Sequence, residues 1–82
     1  MFHKVIAIET LEKYRLLVTF ESGEVKCYDL EPLFEKWIPF QSLKEIQGLF
    51  EQVKVDAGGY GISWNDELDL SCNELYFNGK AA

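Results

Sequence analysis

Apolar residues fall at every second position in Ile6 and Ile8 and in Leu16, Val18 and Phe20, within two stretches, His3–Thr10 and Tyr14–Phe20, that are both rich in β-branched and apolar side chains. That pattern predicts two strands, and Leu11-Glu12-Lys13 between them has the length of a three-residue hairpin loop. Ser22-Gly23 then separates Phe20-Glu21 from Glu24-Val25. Glycine supplies the positive φ that a two-residue hairpin turn needs, so a third strand is predicted to pair antiparallel with the second. These turns imply a register in which Ile6 faces Val18, Ile8 faces Leu16, Phe20 faces Val25 and Val18 faces Cys27. Opposed residues share a side. The predicted core face is therefore Ile6, Ile8, Leu16, Val18, Phe20, Val25 and Cys27. The other face carries Val5, Ala7, Leu17 and Tyr28 among Glu9, Arg15, Thr19 and Lys26, with Glu9 opposite Arg15.

The middle of the chain changes period. In Glu31-Pro32-Leu33-Phe34-Glu35-Lys36 a proline stands at a first helical position, where its missing N–H is no loss; a short helical turn is predicted, and Pro39 closes the segment. Ser42-Leu43-Lys44-Glu45 has the form of a capping box ahead of an apolar stripe of Leu43, Ile46, Leu49 and Phe50, which predicts a helix over Ser42–Phe50. Gly48 weakens that helix by about 1 kcal/mol relative to alanine. Alternation then returns, with Val53-Lys54-Val55 and Tyr60-Gly61-Ile62-Ser63-Trp64 flanking the loop Asp56-Ala57-Gly58-Gly59 as a second hairpin. Tyr60, Ile62 and Trp64 share one side. Gly61 and Ser63 point the other way, where small residues signal the close approach of another backbone or a bulky side chain. Ser71-Cys72-Asn73-Glu74 is a second capping box with Leu70 placed to staple onto Leu75, so a last helix is expected over Ser71–Phe77. Asn78-Gly79 reads as a left-handed stop and Lys80-Ala81-Ala82 as a frayed tail. The prediction is a single small α+β domain over residues 1–82. It consists of an antiparallel β-meander plus a second hairpin, with two or three short helices packed on one side.

A chain of 82 residues buries only about 60–65% of its unfolded surface, so its core has to be dense. With 48% hydrophobic and 15% aromatic residues it can be. No apolar run reaches membrane-spanning length, and the start MFHKVIAIET lacks a basic region followed by an apolar core and a cleavage site. Neither a membrane span nor a signal peptide is expected, and the expected compartment is the cytoplasm. Cys27 and Cys72 lack metal-type spacing and read as small hydrophobes. A net charge of −6, with basic residues scattered singly, argues against a direct nucleic-acid footprint. Between Lys54 and Lys80 there is no basic residue, while Asp56, Asp66, Glu67, Asp69 and Glu74 all fall there. A partner recognised by charge is then basic.

Catalytic chemistry finds no constellation. His3 is the only histidine, and no pattern places a Ser or Cys nucleophile beside it. Gly58-Gly59-Tyr60-Gly61 is followed by no helix, so it is a hairpin loop rather than a phosphate cradle. The loop Asn65-Asp66-Glu67-Leu68-Asp69 alternates oxygens as a calcium loop does, yet it lacks the glycine at the sixth place and the glutamate at the twelfth, where Tyr76 stands. Its carboxylates read more simply as turn and pre-helix residues that satisfy local N–H groups. No catalytic residue, metal or cofactor is expected. What remains is a binding surface in which Tyr60, Trp64 and Tyr76 are aromatic anchors beside Asp66 and Asp69, with the core as the competing place for Tyr60 and Trp64.

The stretches GEVKCYDLEPLFEK and LFEQVKVDAGGYGISWNDELDLSCNELY carry a further signal. Tyr14-Arg15-Leu16, Gly23-Glu24-Val25, Asp29-Leu30 with Pro32-Leu33, and Phe50 with Val53-Lys54-Val55-Asp56 are joined by Ile62-Ser63-Trp64, Asp69-Leu70 and Leu75-Tyr76. Together they resemble the family of domains of unknown function numbered 2442 (DUF2442), over nearly the whole chain. The resemblance implies a small bacterial α+β domain. It also implies a neighbour, since members are often encoded beside a second small domain of unknown function, numbered 4160, and from this pairing are suspected of toxin–antitoxin-like roles. Some members carry an added helix-turn-helix; no such pattern occurs up to residue 82, so DNA binding does not carry over. The expectation is a non-enzymatic protein-interaction module whose partner is a small basic protein, on this resemblance one of the 4160 family, which it neutralises. Two alternatives stand beside it. One is an accessory domain acting in transcription through a DNA-binding partner; the other is a structural domain that self-associates as a homo-oligomer through the second face of the meander.

Overall fold

The predicted meander forms from β1 (Val5–Leu11), β2 (Arg15–Phe20) and β3 (Val25–Asp29), antiparallel throughout, in a computed structural model that describes residues Met1–Ala82. Both hairpin loops differ from expectation, and the differences decide which side chains become core. The first loop is Glu12–Tyr14, with Lys13 and Tyr14 at φ of 61° and 56°, so that Leu11 pairs with Arg15 and Ile8 with Val18 rather than with Leu16. Glu9 consequently lies opposite Leu17, not Arg15. This shift keeps the parity of the strands, and Leu16, Val18 and Phe20 are buried as expected. Toward the start of β1 a bulge between Val5 and Ala7 reverses the parity. Two residues there oppose one, so Val5 turns into the core and Ile6, expected inside, is 58% exposed. The re-aimed strand also accepts a close neighbour: a β-carbon added at Gly59 would stand 2.5 Å from the Val5 carbonyl oxygen.

The second loop is Glu21-Ser22-Gly23. Gly23 donates to the Phe20 carbonyl at 2.8 Å, Phe20 donates to the Glu24 carbonyl at 2.9 Å, and Gly23 has φ +95°. A type I turn followed by a left-handed glycine needs three residues, one more than the predicted turn. β3 is therefore turned over relative to the predicted register, with Tyr28 opposite Leu16 and Lys26 opposite Val18. Tyr28 is core, whereas Val25 and Cys27 stand half-buried on the outward face.

Pro32 opens α1 (Glu31–Lys36) as predicted, and Pro39 lies in a 3-10 turn over Ile38–Gln41. α2 is only Ser42–Glu45. Ser42 itself has helical dihedrals, so its hydroxyl does not cap, while Ile46 is extended and Gly48 left-handed at φ +83°. The predicted helix thus stops well before Phe50. A second sheet follows, made of β4 (Lys54–Val55), β5 (Gly61–Ser63) and β6 (Asp69–Ser71) in that order. The third strand occupies residues expected to lead into a helix. It explains Gly61, where a β-carbon would lie 2.5 Å from the Leu70 carbonyl oxygen. α3 (Cys72–Asn78) begins on Ser71, whose Oγ accepts from the Glu74 N–H at 3.1 Å. Gly79 is not left-handed; the chain passes close over the Leu75 carbonyl and continues as β7 (Lys80–Ala81), which pairs with Lys26 and Cys27 where a frayed tail was expected.

The architecture is α+β: a four-stranded sheet in the order β1-β2-β3-β7, a three-stranded sheet, and three short helices. Leu16, Val18, Phe20, Leu30, Ile62 and Leu75 form the dry centre between them. On the outward side of the first sheet Leu17, Thr19, Val25 and Cys27 stand half-buried, and α1 borders this side at the β3–β7 edge. No helix is long and apolar enough to cross a membrane.

Candidate protein-binding surface

The segment ahead of β1 is where the surface becomes aromatic. Asn73, in the first turn of α3, holds that segment with both ends of its amide: Oδ1 accepts from the His3 N–H at 3.1 Å and Nδ2 donates to the Met1 carbonyl at 3.0 Å. Pinned there, Phe2 meets Tyr60 edge-on at 5.2 Å, while His3 stacks flat on Tyr76 at 3.6 Å and meets Phe77 edge-on at 5.3 Å. Tyr76 also meets the buried ring of Phe20 at 5.2 Å, which ties the group to the core. Edge-on contacts suit the ring quadrupoles and fix the rings relative to one another. The outermost rings stay open nonetheless. Phe2 is 63%, Phe77 67% and Tyr60 48% exposed.

Charge at this surface is mixed. The Lys26 ammonium lies 3.7 Å from the Tyr76 ring centroid and donates to the Tyr76 carbonyl, and Lys4 stands 5.2 Å from the Tyr60 ring. The Tyr76 hydroxyl donates to Glu24 Oε1 at 2.8 Å. That hydrogen bond, then desolvation and the charge of Glu24, raise its pKa and keep it a donor.

The residues singled out from sequence do not come together. Trp64 is only 4% exposed, with its indole N–H donating to the Phe50 carbonyl at 3.0 Å and its ring edge-on to Phe40; it is core. Tyr60 precedes β5 while the acidic loop follows it, so Tyr60 and Asp66 lie at opposite ends of that strand. Asp66 and Asp69 are exposed, but the loop is closed by Asn65, whose Oδ1 accepts from the N–H groups of Glu67 and Leu68 at 2.9 Å. Asp56 accepts from the Ser63 hydroxyl at 2.6 Å and Glu74 from the Tyr28 hydroxyl at 2.7 Å, so both carboxylates are engaged internally. Only Tyr60 and Tyr76 of the five belong to the aromatic surface. Phe2, His3, Asn73 and Phe77 were missed. One signal was available: consecutive residues on a helix point about 100° apart, so Leu75, Tyr76 and Phe77 span about 200° and cannot all face the core.

A family model described as "Protein of unknown function (DUF2442)" matches residues 5–81. The chain belongs to that family. Neither the curated proteins nor the solved structures gave a match. The family match takes in Tyr60, Asn73, Tyr76 and Phe77 of the aromatic surface and begins two residues after His3.

The DUF2442 chain also has a groove of about 580 Å³ at its β3–β7 edge, lined in part by Arg15, Lys36, Lys80, Asp29, Glu74 and Trp37. Its cations and carboxylates are interleaved, so it presents no field of one sign. Tyr28 lies in it with its pKa strongly raised, by burial first and then by the hydrogen bond to Glu74 and the charges of Glu74 and Asp29.

Proposed function

We propose that this DUF2442 chain is a non-enzymatic protein-binding module that engages a small basic partner and restrains it, as the antitoxin-like component of a two-protein system would. The open aromatic surface of Phe2, Tyr60 and Phe77 is the observation that carries this reading. Rings that rest on other rings lose little freedom when covered and offer a large apolar area, which is the make-up of interface anchors. Charge enters separately. The net charge of −6, with Asp66, Glu67 and Asp69 exposed near the far end of the second sheet, speeds encounter with a basic partner and filters against acidic ones.

Co-purification from the native host followed by mass spectrometry tests this with three forms of the chain. The unchanged chain is expected to retain one small basic protein, and Phe2→Ala/Phe77→Ala to lose it. With the captured partner in hand, Asp66→Lys/Asp69→Lys should bind it with a slower association rate and a weaker dependence on salt. No partner at low salt, or a partner retained equally by the ring variant, overturns the reading.

A further inference from the structure

The outward face of the first sheet is ordered in rows set by the strand register. One row runs Glu9, Leu17, Cys27, Lys80 across β1, β2, β3 and β7; the next runs Leu11, Arg15, Asp29; the third runs Ala7, Thr19, Val25. Leu17, Thr19, Val25 and Cys27, at the centre, are half-buried and uncharged. The charges follow a pattern. Glu9 sits on one edge strand and Lys80 on the other, in the same row; Arg15 sits on β2 and Asp29 on β3, in the same row. About the line between β2 and β3, each charge has its opposite at the mirror position.

We propose that this face is closed by a second copy of the chain, sheet on sheet, about a two-fold axis running along the strands above that line. The proposal uses none of the aromatic surface and does not rest on the reading above. Rotation about this axis lays β1 over β7 of the second copy and β2 over its β3. Glu9 then meets Lys80 and Arg15 meets Asp29, each pair twice, while Leu17 covers Cys27 and Thr19 covers Val25. A two-fold axis across the strands and along the row of Glu9 and Lys80 does the reverse, setting Glu9 on Glu9 and Lys80 on Lys80, and like charges placed face to face select against that arrangement. A patch that is its own complement under one two-fold operation is what an isologous dimer requires. Antiparallel sheets pack aligned in this way, with faces about 10 Å apart and strand directions within about 30°. At a strand spacing of about 4.8 Å and a rise of about 3.4 Å per residue the face measures roughly 19 by 17 Å, about 320 Å² per copy, which is below the area of a stable interface and makes the dimer a weak one that forms only as concentration rises.

Sedimentation velocity from micromolar to near-millimolar concentration reads the outcome. The unchanged chain, of 9.5 kDa, is expected to move toward twice that mass as concentration rises. Glu9→Lys and Lys80→Glu, both at exposed positions, should each remain monomeric. An equal mixture of the two variants should dimerise, and so should the double variant Glu9→Lys/Lys80→Glu, because both restore opposed charges; this rescue also establishes that the single variants fold. Phe2→Ala/Phe77→Ala should leave the dimer intact, so loss of a captured partner with an unchanged mass would separate the two surfaces. A chain monomeric at every concentration, a dimer indifferent to the charge reversals, a mixture that does not rescue, or a dimer lost with the rings would each overturn the proposal.

Discussion

The two faces of the first sheet are made of the same strands, yet the middle of β3 turns polar side chains inward and apolar ones outward. Lys26 and Tyr28 face the core, whereas Val25 and Cys27 face out. The inward arrangement holds because both polar heads end at the rim on partners from α3: the Lys26 ammonium on the Tyr76 carbonyl and ring, and the Tyr28 hydroxyl on Glu74. Hydrophobicity alone therefore does not choose the core here. Loop length does, and it leaves an apolar strip on the outward side that a single chain does not cover.

The contrast is broken most severely from inside. Phe20→Ala, at a fully buried position, is expected to destabilise the chain by about 3–5 kcal/mol in chemical denaturation. The matching outward change, Leu17→Ala, should cost the monomer less than about 1 kcal/mol. Equal losses would mean that the two faces are not distinct. Between these lies a pH effect on the inward side. The native state holds the Tyr28 proton above the ordinary tyrosine value, so this stabilisation is complete below about pH 10 and is lost as the pH rises from there, when the unfolded chain releases a proton that the native chain keeps. Stability should fall by at most about 1.4 kcal/mol per pH unit from this source, and Tyr28→Phe should flatten that slope. At the helix that supplies the rim partners, Ser71→Ala removes the cap and is expected to cost about 1 kcal/mol in the same denaturation assay. The mildest probe changes no residue. Cys27, outward and half-buried, should alkylate well before the buried Cys72 in the folded chain, and the difference should narrow as rising concentration closes the outward face.

Where the sequence was readable, one local rule was sufficient. The register implied by the hairpin turns puts Leu16, Val18 and Phe20 on one wholly apolar face, the missing N–H of Pro32 places it at a helix start, and the spacing of a capping box places Ser71. The residues assigned to the wrong face of the meander share a cause. A bulge at Ile6 and one extra residue in the Gly23 loop each change parity, and a parity change sends every side chain beyond it to the other face. β6 and β7 were not read because each is so short that tertiary pairing, not propensity, makes it a strand. At the binding surface Tyr60 and Tyr76 were legible as candidate anchors. The rest depends on Asn73 reaching the first three residues, a contact across 70 positions that no local pattern encodes. For Trp64, an aromatic residue on a short strand, the core is the commoner place, and its indole N–H found a carbonyl there.

The turn at Gly23 bears on how this family can change by insertion and deletion. Glu21, Ser22 and Gly23 are exposed, and a β-carbon at Gly23 would touch nothing within 4 Å. Loops of that kind usually gain or lose residues freely. Here the residue count is a parity bit. Removing one residue would restore the tight two-residue turn, rotate β3 by half a turn, bring Val25 and Cys27 inside, and part Tyr28 from Glu74 and Lys26 from Tyr76. The identity of Glu21 is free to drift and Ser22 is tied only to its neighbour Glu24, by bonds of 3.3 Å, while the length of the loop is fixed, and an alignment gap at this point would mark a relative whose third strand shows its other side.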